Sequence, residues 1–339
     1  MGPKVKRLLK ALVQSPPGKV LASTVDFVVG LMAPIVWLMA RTGLGTNACL
    51  KGNALPVPVH YYSPIPDLND LRRRDIWARR SELAGIDFRK ENQLALLAEL
   101  GEAFGHECRW DRAPGSDPRR FYTPNNSFSF GCAAALHSLI RRHKPRNVIE
   151  IGSGRSSLVL SGALERNRSE GHPAEYVIVD PFPSPLVADG LPSLARVHRM
   201  PVEQTELALH TALGEDDVLF IDSGHTVKTG GDVNFEILEI LPRLAPGVLV
   251  HFHDIPLPFE YPEIYFSNPT FRVFWTEAYL LQAFLCGNKD YEILLTMNHL
   301  MIDEAAAFRK AFAHAADGGS QISGSFWIRR RLGMADATG

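Results

Sequence analysis

The chain has 339 residues, 45% of them hydrophobic, enough to bury one large core or one core with a smaller appendage. Lys and Arg total 36 against 37 Asp and Glu, a formal net charge of −1 that leaves no electrostatic footprint for nucleic acid and excludes that partner. Cys49, Cys108, Cys132 and Cys286 stand far apart with no CxxC spacing, which excludes a disulfide framework and a structural zinc site and fits a reducing compartment.

In chain order, Lys4, Lys6, Arg7, Lys10 and Lys19 precede the first acid, and Val20 to Ala40 is an apolar-leaning run broken by Ser23, Thr24, Asp26 and Pro34. Its length is sufficient for a bilayer span. The basic flank would hold the amino-terminal end in the cytoplasm and send the rest outside, away from a cytosolic cosubstrate, so an interfacial or protein-packed helix is preferred to a span. Residues 51 to 66 carry Pro56, Pro58, Pro64 and Pro66, which favour an extended linker or lid arm. From Asp67 to about Glu107 the spacing of Leu94, Leu97 and Phe104 predicts helix, with Arg72-Arg73-Arg74 on a solvated face. The cluster Phe121 to Phe128 reads as a turn before a helix from about Gly131 to His143.

From Asn147 onward strands and helices alternate. Strands are predicted at 147–151, 175–180, 196–202, 217–222, 247–253, 291–297 and 324–329. The helices run to about Asn167, from about Gly231 to Leu244, from about Phe271 to Leu285, and near 303 to 316. That alternation predicts an α/β fold with a mostly parallel sheet covered on both faces. In such sheets ligands bind beyond the carboxyl ends of the strands. The residues there are Glu150 with Gly152-Ser153-Gly154, then Asp180, then Asp222-Ser223-Gly224-His225, then His253-Asp254. An acid two residues before the first glycine, with an acid closing the next strand, suits a nucleoside bearing a cationic methionine better than a dinucleotide.

The segment Glu150-Ile151-Gly152-Ser153-Gly154 resembles motif I of the class I S-adenosylmethionine-dependent methyltransferases. Phe220 to His225, Asp232-Val233-Asn234, Leu241 to Val248 and His251 to Ile255 resemble the family 24 branch, and the likeness covers about 120 to 332. Ser156 departs from the third glycine that many members carry. The resemblance implies a Rossmann-like seven-stranded sheet with an antiparallel last strand, and S-adenosyl-L-methionine as cofactor. It places Glu150, Gly152, Ser153, Gly154, Asp180 and Asp222 at that cofactor, with Asp180 accepting from both ribose hydroxyls and Glu150 steadying the loop or meeting the ammonium group. The helix carrying Phe274, Trp275, Glu277, Tyr279 and Gln282 resembles a family helix beside the site, although core packing alone explains its aromatics.

Methyl transfer to a hydroxyl also requires loss of that hydroxyl's proton. Asp222, His253 and Asp254 form a ligand set for Mg2+ or Mn2+ at adjacent strand ends. His225 is placed as general base or further ligand, so Asp222, His225 and His253 are the catalytic candidates, while His251 reads as a core histidine. The expected domains are a basic and apolar helical segment (1–50), a proline-rich arm and helical cap (51–119), the methyltransferase domain (120–332) and a tail (333–339). The N-terminal extension is read as lid, homo-oligomer contact or peripheral membrane anchor through residues 1–45. The expected reaction is O-methylation of a small-molecule or saccharide acceptor, in the cytoplasm with membrane association. The alternatives are an NAD(P)-dependent oxidoreductase and a non-catalytic ligand-binding domain of the same fold.

Overall fold

The computed structural model describes residues 16–188, 190–268, 272–318 and 323–332. The chain divides into two compact units, one of residues 1–78 with 262–274 and one of 79–261 with 275–339. The basic positions Lys4 to Lys10 and the expected tail at 333–339 lie outside the described residues.

In the first unit, helix α1 spans Pro16–Thr42. The expected helix is interfacial or protein-packed, and its apolar side chains from Val25 to Leu38 are exposed, among them Phe27, Leu31, Ile35 and Trp37. The proline-punctuated residues after Asn53 carry no regular element, as predicted. A short helix at Leu68–Arg73 begins on Asp67, whose carboxylate accepts from the N–H groups of Asn69 and Asp70. Its arginines form the solvated face expected of them, Arg73 and Arg74 pairing with Asp70 and Arg72 with Glu263.

The single helix expected from Asp67 to Glu107 is broken. Residues 79–89 are non-helical, with Leu83 and Arg89 at positive φ, and helix α2 begins at Lys90 and ends at Phe104. The break has a physical cause, because Arg80 pairs as an isolated bridge with Phe259 and the Ser81 N–H donates to the Pro258 carbonyl. Those backbone groups are therefore not available for a helical ladder. Leu97 and Leu100 of α2 are fully buried in the core that the sheet also joins.

The second unit is built on seven strands: β1 Asn147–Ile151, β2 Glu175–Val179, β3 Leu194–His198, β4 Val218–Ile221, β5 Leu249–Phe252, β6 Tyr291–Thr296 and β7 Phe326–Arg330. Their order is β3-β2-β1-β4-β5-β7-β6, parallel except for β7, which runs antiparallel between β5 and β6. β1, β2, β4 and β5 are near-continuous apolar runs buried along almost their whole length, as strands covered on both faces must be. Each buried Val, Ile, Leu or Phe contributes roughly 1.5–3 kcal/mol relative to exposure. Helix α3, Phe130–His143, is capped by the Ser129 hydroxyl, which accepts from the Cys132 N–H, and it packs against α4, Arg155–Ser169.

Two predicted helices are resolved into different parts. Gly231 to Leu244 is one α-turn, Asp232–Phe235, a π-helical turn, Glu236–Ile240, and a 3₁₀ turn, Leu241–Arg243. The helix expected from Phe271 begins instead at Glu277, giving α5, Glu277–Leu285. The region near 303 to 316 contains Ala305–Ala311 and a 3₁₀ turn from Ala313, preceded by an unexpected short helix at Met297–Ile302.

The strand register sets the site. Ile151 lies level with Val179 on one side and Ile221 on the other, and Ile221 is level with Phe252. The next N–H of each strand continues the ladder, Gly152 to Val179, Asp222 to Ile151 and His253 to Ile221. Four separate segments thus end in one row.

Candidate active site

The row begins with the turn after β1. Gly152 has φ 87°, and a Cβ built there would stand 2.0 Å from the Asp222 carbonyl oxygen, so only glycine fits where β1 and β4 part. Gly154 has open space on the side where a Cβ would project. The loop from Gly152 to Gly154 is half-buried, which leaves its backbone within reach of a ligand.

Glu150 is fully buried beneath this loop and accepts from the hydroxyls of Ser156 at 2.6 Å, Ser157 at 2.8 Å and Tyr176. Burial pushes its carboxyl up to about 7, against the three hydroxyls that favour the charged form. Of the two roles expected for Glu150, these bonds are those of a loop brace. The departures from a glycine-rich pattern at Ser156 and Ser157 have the same cause, since both hydroxyls are used to satisfy this buried acid. Ser157 also accepts from the Gly154 N–H at 3.1 Å, bracing the loop from a second side.

Asp180 follows β2 as predicted. Its Oδ2 accepts from Ser153 Oγ at 2.6 Å and its Oδ1 from the Phe182 N–H at 2.7 Å. The Ser153 hydroxyl in turn accepts from the Ser184 N–H at 3.0 Å, so the glycine loop and the segment after β2 are held together. Each carboxylate oxygen of Asp180 retains acceptor capacity beyond these bonds.

At the ends of β4 and β5, Asp222, His225 and Asp254 bring one ligand atom each within 4.8 Å of one another. His225 Nε2 lies 3.2 Å from Asp222 Oδ1 and 3.8 Å from Asp254 Oδ2. Its Nδ1 donates to Glu277 Oε2 at 2.7 Å. His225, expected as general base or further ligand, joins the expected set of Asp222, His253 and Asp254 from a left-handed turn with φ 55°.

His253 is nearby in a different attitude. Its Nδ1 lies 3.5 Å from Asp222 Oδ1 and 3.3 Å from Asp254 Oδ2, with no hydrogen-bond partner among the described residues. Its Nε2 faces Cys132 Sγ at 3.5 Å, and its ring stacks on Phe128. Ser129 and Ser323 also contact that sulfur, and although burial opposes ionisation, the His253 imidazolium and these contacts bring the Cys132 thiol down to about 7.

Burial disfavours the charged form of Asp222, but the facing His253 and His225 hold its carboxyl well below the usual range. Burial likewise opposes protonation of both rings, and the surrounding carboxylates overcome it, raising both imidazoles well above their ordinary value. Two carboxylates facing two imidazoles require either protons or a cation between them. An oxygen and nitrogen donor set of this kind fits Mg2+ or Mn2+, and the unpartnered His253 Nδ1 supplies a further group turned to the same acids.

Trp275 and Glu277 stand beside the site, where the family resemblance put them without a role. Glu277 is fully buried against His225, and burial raises its carboxyl while His225 opposes that rise. Trp275 lies 4.5 Å from the His225 ring. Cys132 belongs to α3 and gave no signal beyond a lone cysteine. His251 is the core histidine expected of it, stacked on Phe220 at 3.9 Å and bonded through Nε2 to Ser325 Oγ at 2.7 Å. In the cluster Phe121 to Phe128 the Asn125 side chain bonds the backbone of Tyr122, Ser127 and Phe128, while the Tyr122 hydroxyl accepts from Arg155 at 2.8 Å.

Comparison with known proteins gives three findings. The model of methyltransferase-domain family 24 matches residues 149–255. An uncharacterized protein of Archaeoglobus fulgidus is 31% identical over 167 residues, spanning 47% of this chain and 74% of the relative. Among solved structures, the O-methyltransferase TomG of Streptomyces achromogenes in complex with S-adenosylmethionine aligns at 15% identity over 73% of this chain and 92% of its own, with TM-score 0.37. An O-methyltransferase of Bacillus cereus aligns at 13% identity over 70% and 91%, with TM-score 0.36.

Proposed function

We propose, for a chain that belongs to the family 24 branch of the class I S-adenosylmethionine-dependent methyltransferases, a transfer of the donor methyl group to a hydroxyl oxygen of a small molecule or sugar. The observation that carries this reading is contact between two sites. The glycine turn at Gly152 touches the backbone of Asp222, whose side chain belongs to the acid and histidine group. A donor held at the turn and an acceptor held at Asp222 and His225 are therefore neighbours, as an in-line transfer requires.

The half-buried loop Gly152-Ser153-Gly154 receives the methionine portion, and Asp180 accepts from the ribose hydroxyls. S-adenosylmethionine supplies a sulfonium methyl, whose carbon is attacked by the acceptor oxygen as the thioether leaves. Asp222, His225 and Asp254, with His253 beside them, would hold a divalent ion that lowers the pKa of the acceptor hydroxyl. His225 and His253 are the groups on this chain that take up or release a proton at that place. Trp275 offers an apolar wall beside His225. A dinucleotide at the same turn is disfavoured because the position of its third glycine is Ser157, whose hydroxyl serves Glu150.

Helix α1 provides the membrane contact. Residues 27 to 40 include no polar side chain, and from Ser23 to Leu38 every residue is exposed. Apolar side chains face all directions around the helix, so no single protein groove covers them, whereas lipid does. This supports a membrane-associated enzyme anchored through its N-terminal segment.

The test of the reaction is turnover with a panel of hydroxylated acceptors, with chelator and with Mg2+ or Mn2+ restored. Asp222→Asn and Asp254→Asn should abolish methyl transfer while S-adenosylmethionine still binds. Full activity in demonstrably metal-free protein would remove the ion from the scheme and leave His225 or His253 as the base.

A further inference from the structure

Residue 225 is held from two directions by one short stretch of chain. Its carbonyl oxygen accepts from the Thr276 N–H at 2.9 Å and from the Glu277 N–H at 3.2 Å. Its ring nitrogen Nδ1 pairs with Glu277 Oε2 at 2.7 Å. Thr276 Oγ1 accepts from the Val227 N–H at 2.8 Å, fixing the far side of the same turn. Opposite, the Asp232 carboxylate accepts from the Gly224 N–H at 2.7 Å, and a Cβ at Gly224 would stand 2.4 Å from that carboxylate. The left-handed backbone of His225 is thus over-determined by its surroundings, as a strained position at a working site must be.

We infer that Glu277 is a positioning residue, which holds the His225 ring with Nδ1 protonated and Nε2 open toward Asp222 and Asp254, and thereby sets the affinity of the site for a divalent cation. This rests on the ion-binding reading above. A carboxylate only accepts hydrogen bonds, so pairing with Glu277 assigns the proton to Nδ1. The opposite nitrogen, beside two acids, is then the one that gives up its proton when a cation binds. A metal-bound histidine whose other nitrogen donates to a carboxylate is fixed in ring orientation and in tautomer, and loss of such a partner weakens metal binding by about 10- to 100-fold. Glu277 is fully buried at the start of α5, so water does not compete for the bond.

The full chain is titrated with Mn2+, free ion being read by electron paramagnetic resonance, in wild type and in Glu277→Gln. The carboxamide of that variant is able to donate to Nδ1, which moves the ring proton to Nε2 and into the place of the ion. The expected result is Mn2+ affinity about 10- to 100-fold weaker, with S-adenosylmethionine affinity kept as the check on folding. At a pH above the raised pKa, where the ring is neutral, the His225 imidazole ¹⁵N shifts should move from the Nδ1–H to the Nε2–H tautomer, a signature that a purely structural role would not produce. If Glu277→Gln does not fold, Glu277→Asp, which keeps the charge but withdraws it by one methylene, is expected to weaken Mn2+ in the same direction. Unchanged Mn2+ affinity and unchanged ¹⁵N shifts in a folded variant would overturn the positioning role alone. Wild-type protein that binds no Mn2+ would overturn the ion reading and this inference with it.

Discussion

Ser153 Oγ donates to Asp180 Oδ2 over 2.6 Å, a bond that joins the turn after β1 to the residue after β2. The glycine turn and the segment after β2 are thereby braced against each other. Asp180→Ala removes both this brace and the acceptors assigned to the ribose. S-adenosylmethionine affinity should fall by about 1–3 kcal/mol, measured by calorimetry. Ser153→Ala, which leaves the carboxylate in place, should cost less. Unchanged affinity in Asp180→Ala would remove that residue from the ribose role.

Binding of a divalent ion should depend on pH, with a sign that follows from the two imidazoles. Against burial, Asp222 and Glu277 raise the folded-state pKa of His225, and Asp254 and Asp222 that of His253, so without an ion both rings remain protonated past their ordinary range. A ligand nitrogen must be free of its proton. Affinity for Mn2+ should therefore fall as pH falls and rise as pH climbs through the raised values. About one to two protons should be released per ion bound, seen in calorimetry as a dependence of apparent enthalpy on buffer ionisation. Affinity that stays flat from about pH 6 to pH 9 would show that neither ring is a ligand.

Helix α1 should bind lipid vesicles in the full-length chain, and substitutions on opposite faces should reveal how it sits. Leu31 and Val36 are both exposed and project to different sides. In a helix that lies on the surface, an acid on one face is tolerated and an acid on the other is not. In a helix immersed on all sides, Leu31→Asp and Val36→Asp should both reduce vesicle affinity, each by about 70-fold or more given a cost of roughly 2.5–3.5 kcal/mol for a charge at the helix centre. S-adenosylmethionine binding should stay unchanged in both. Full-length protein that does not float with vesicles of any composition would end the membrane proposal.

The sheet and the row of residues at its edge were legible in the sequence because their signals are local. Apolar runs of strand length, a glycine pair at a strand end and acids closing successive strands each depend on a few neighbouring residues. Parallel register then places Gly152, Asp180, Asp222 and His253 in line without further information. The same locality explains why the long helix around 67–107 was misread, since its break depends on pairing with Pro258 and Phe259, far along the chain.

Tertiary structure alone decided what each side chain at that edge faces. Glu150 is next to the glycine turn in sequence, yet the hydroxyls of Ser156, Ser157 and Tyr176 turn it into the turn's support. Both His225 and His253 carry the same chemistry, and sequence spacing does not distinguish a ring swung by a left-handed turn from one held against α3. His225 is oriented by Glu277, 52 residues later, and His253 faces Cys132, 121 residues earlier. Periodicity encodes which face of an element is buried, because burial follows the repeat of the backbone. The partner of a polar group is set by packing between elements distant in the chain, and no local pattern carries that information.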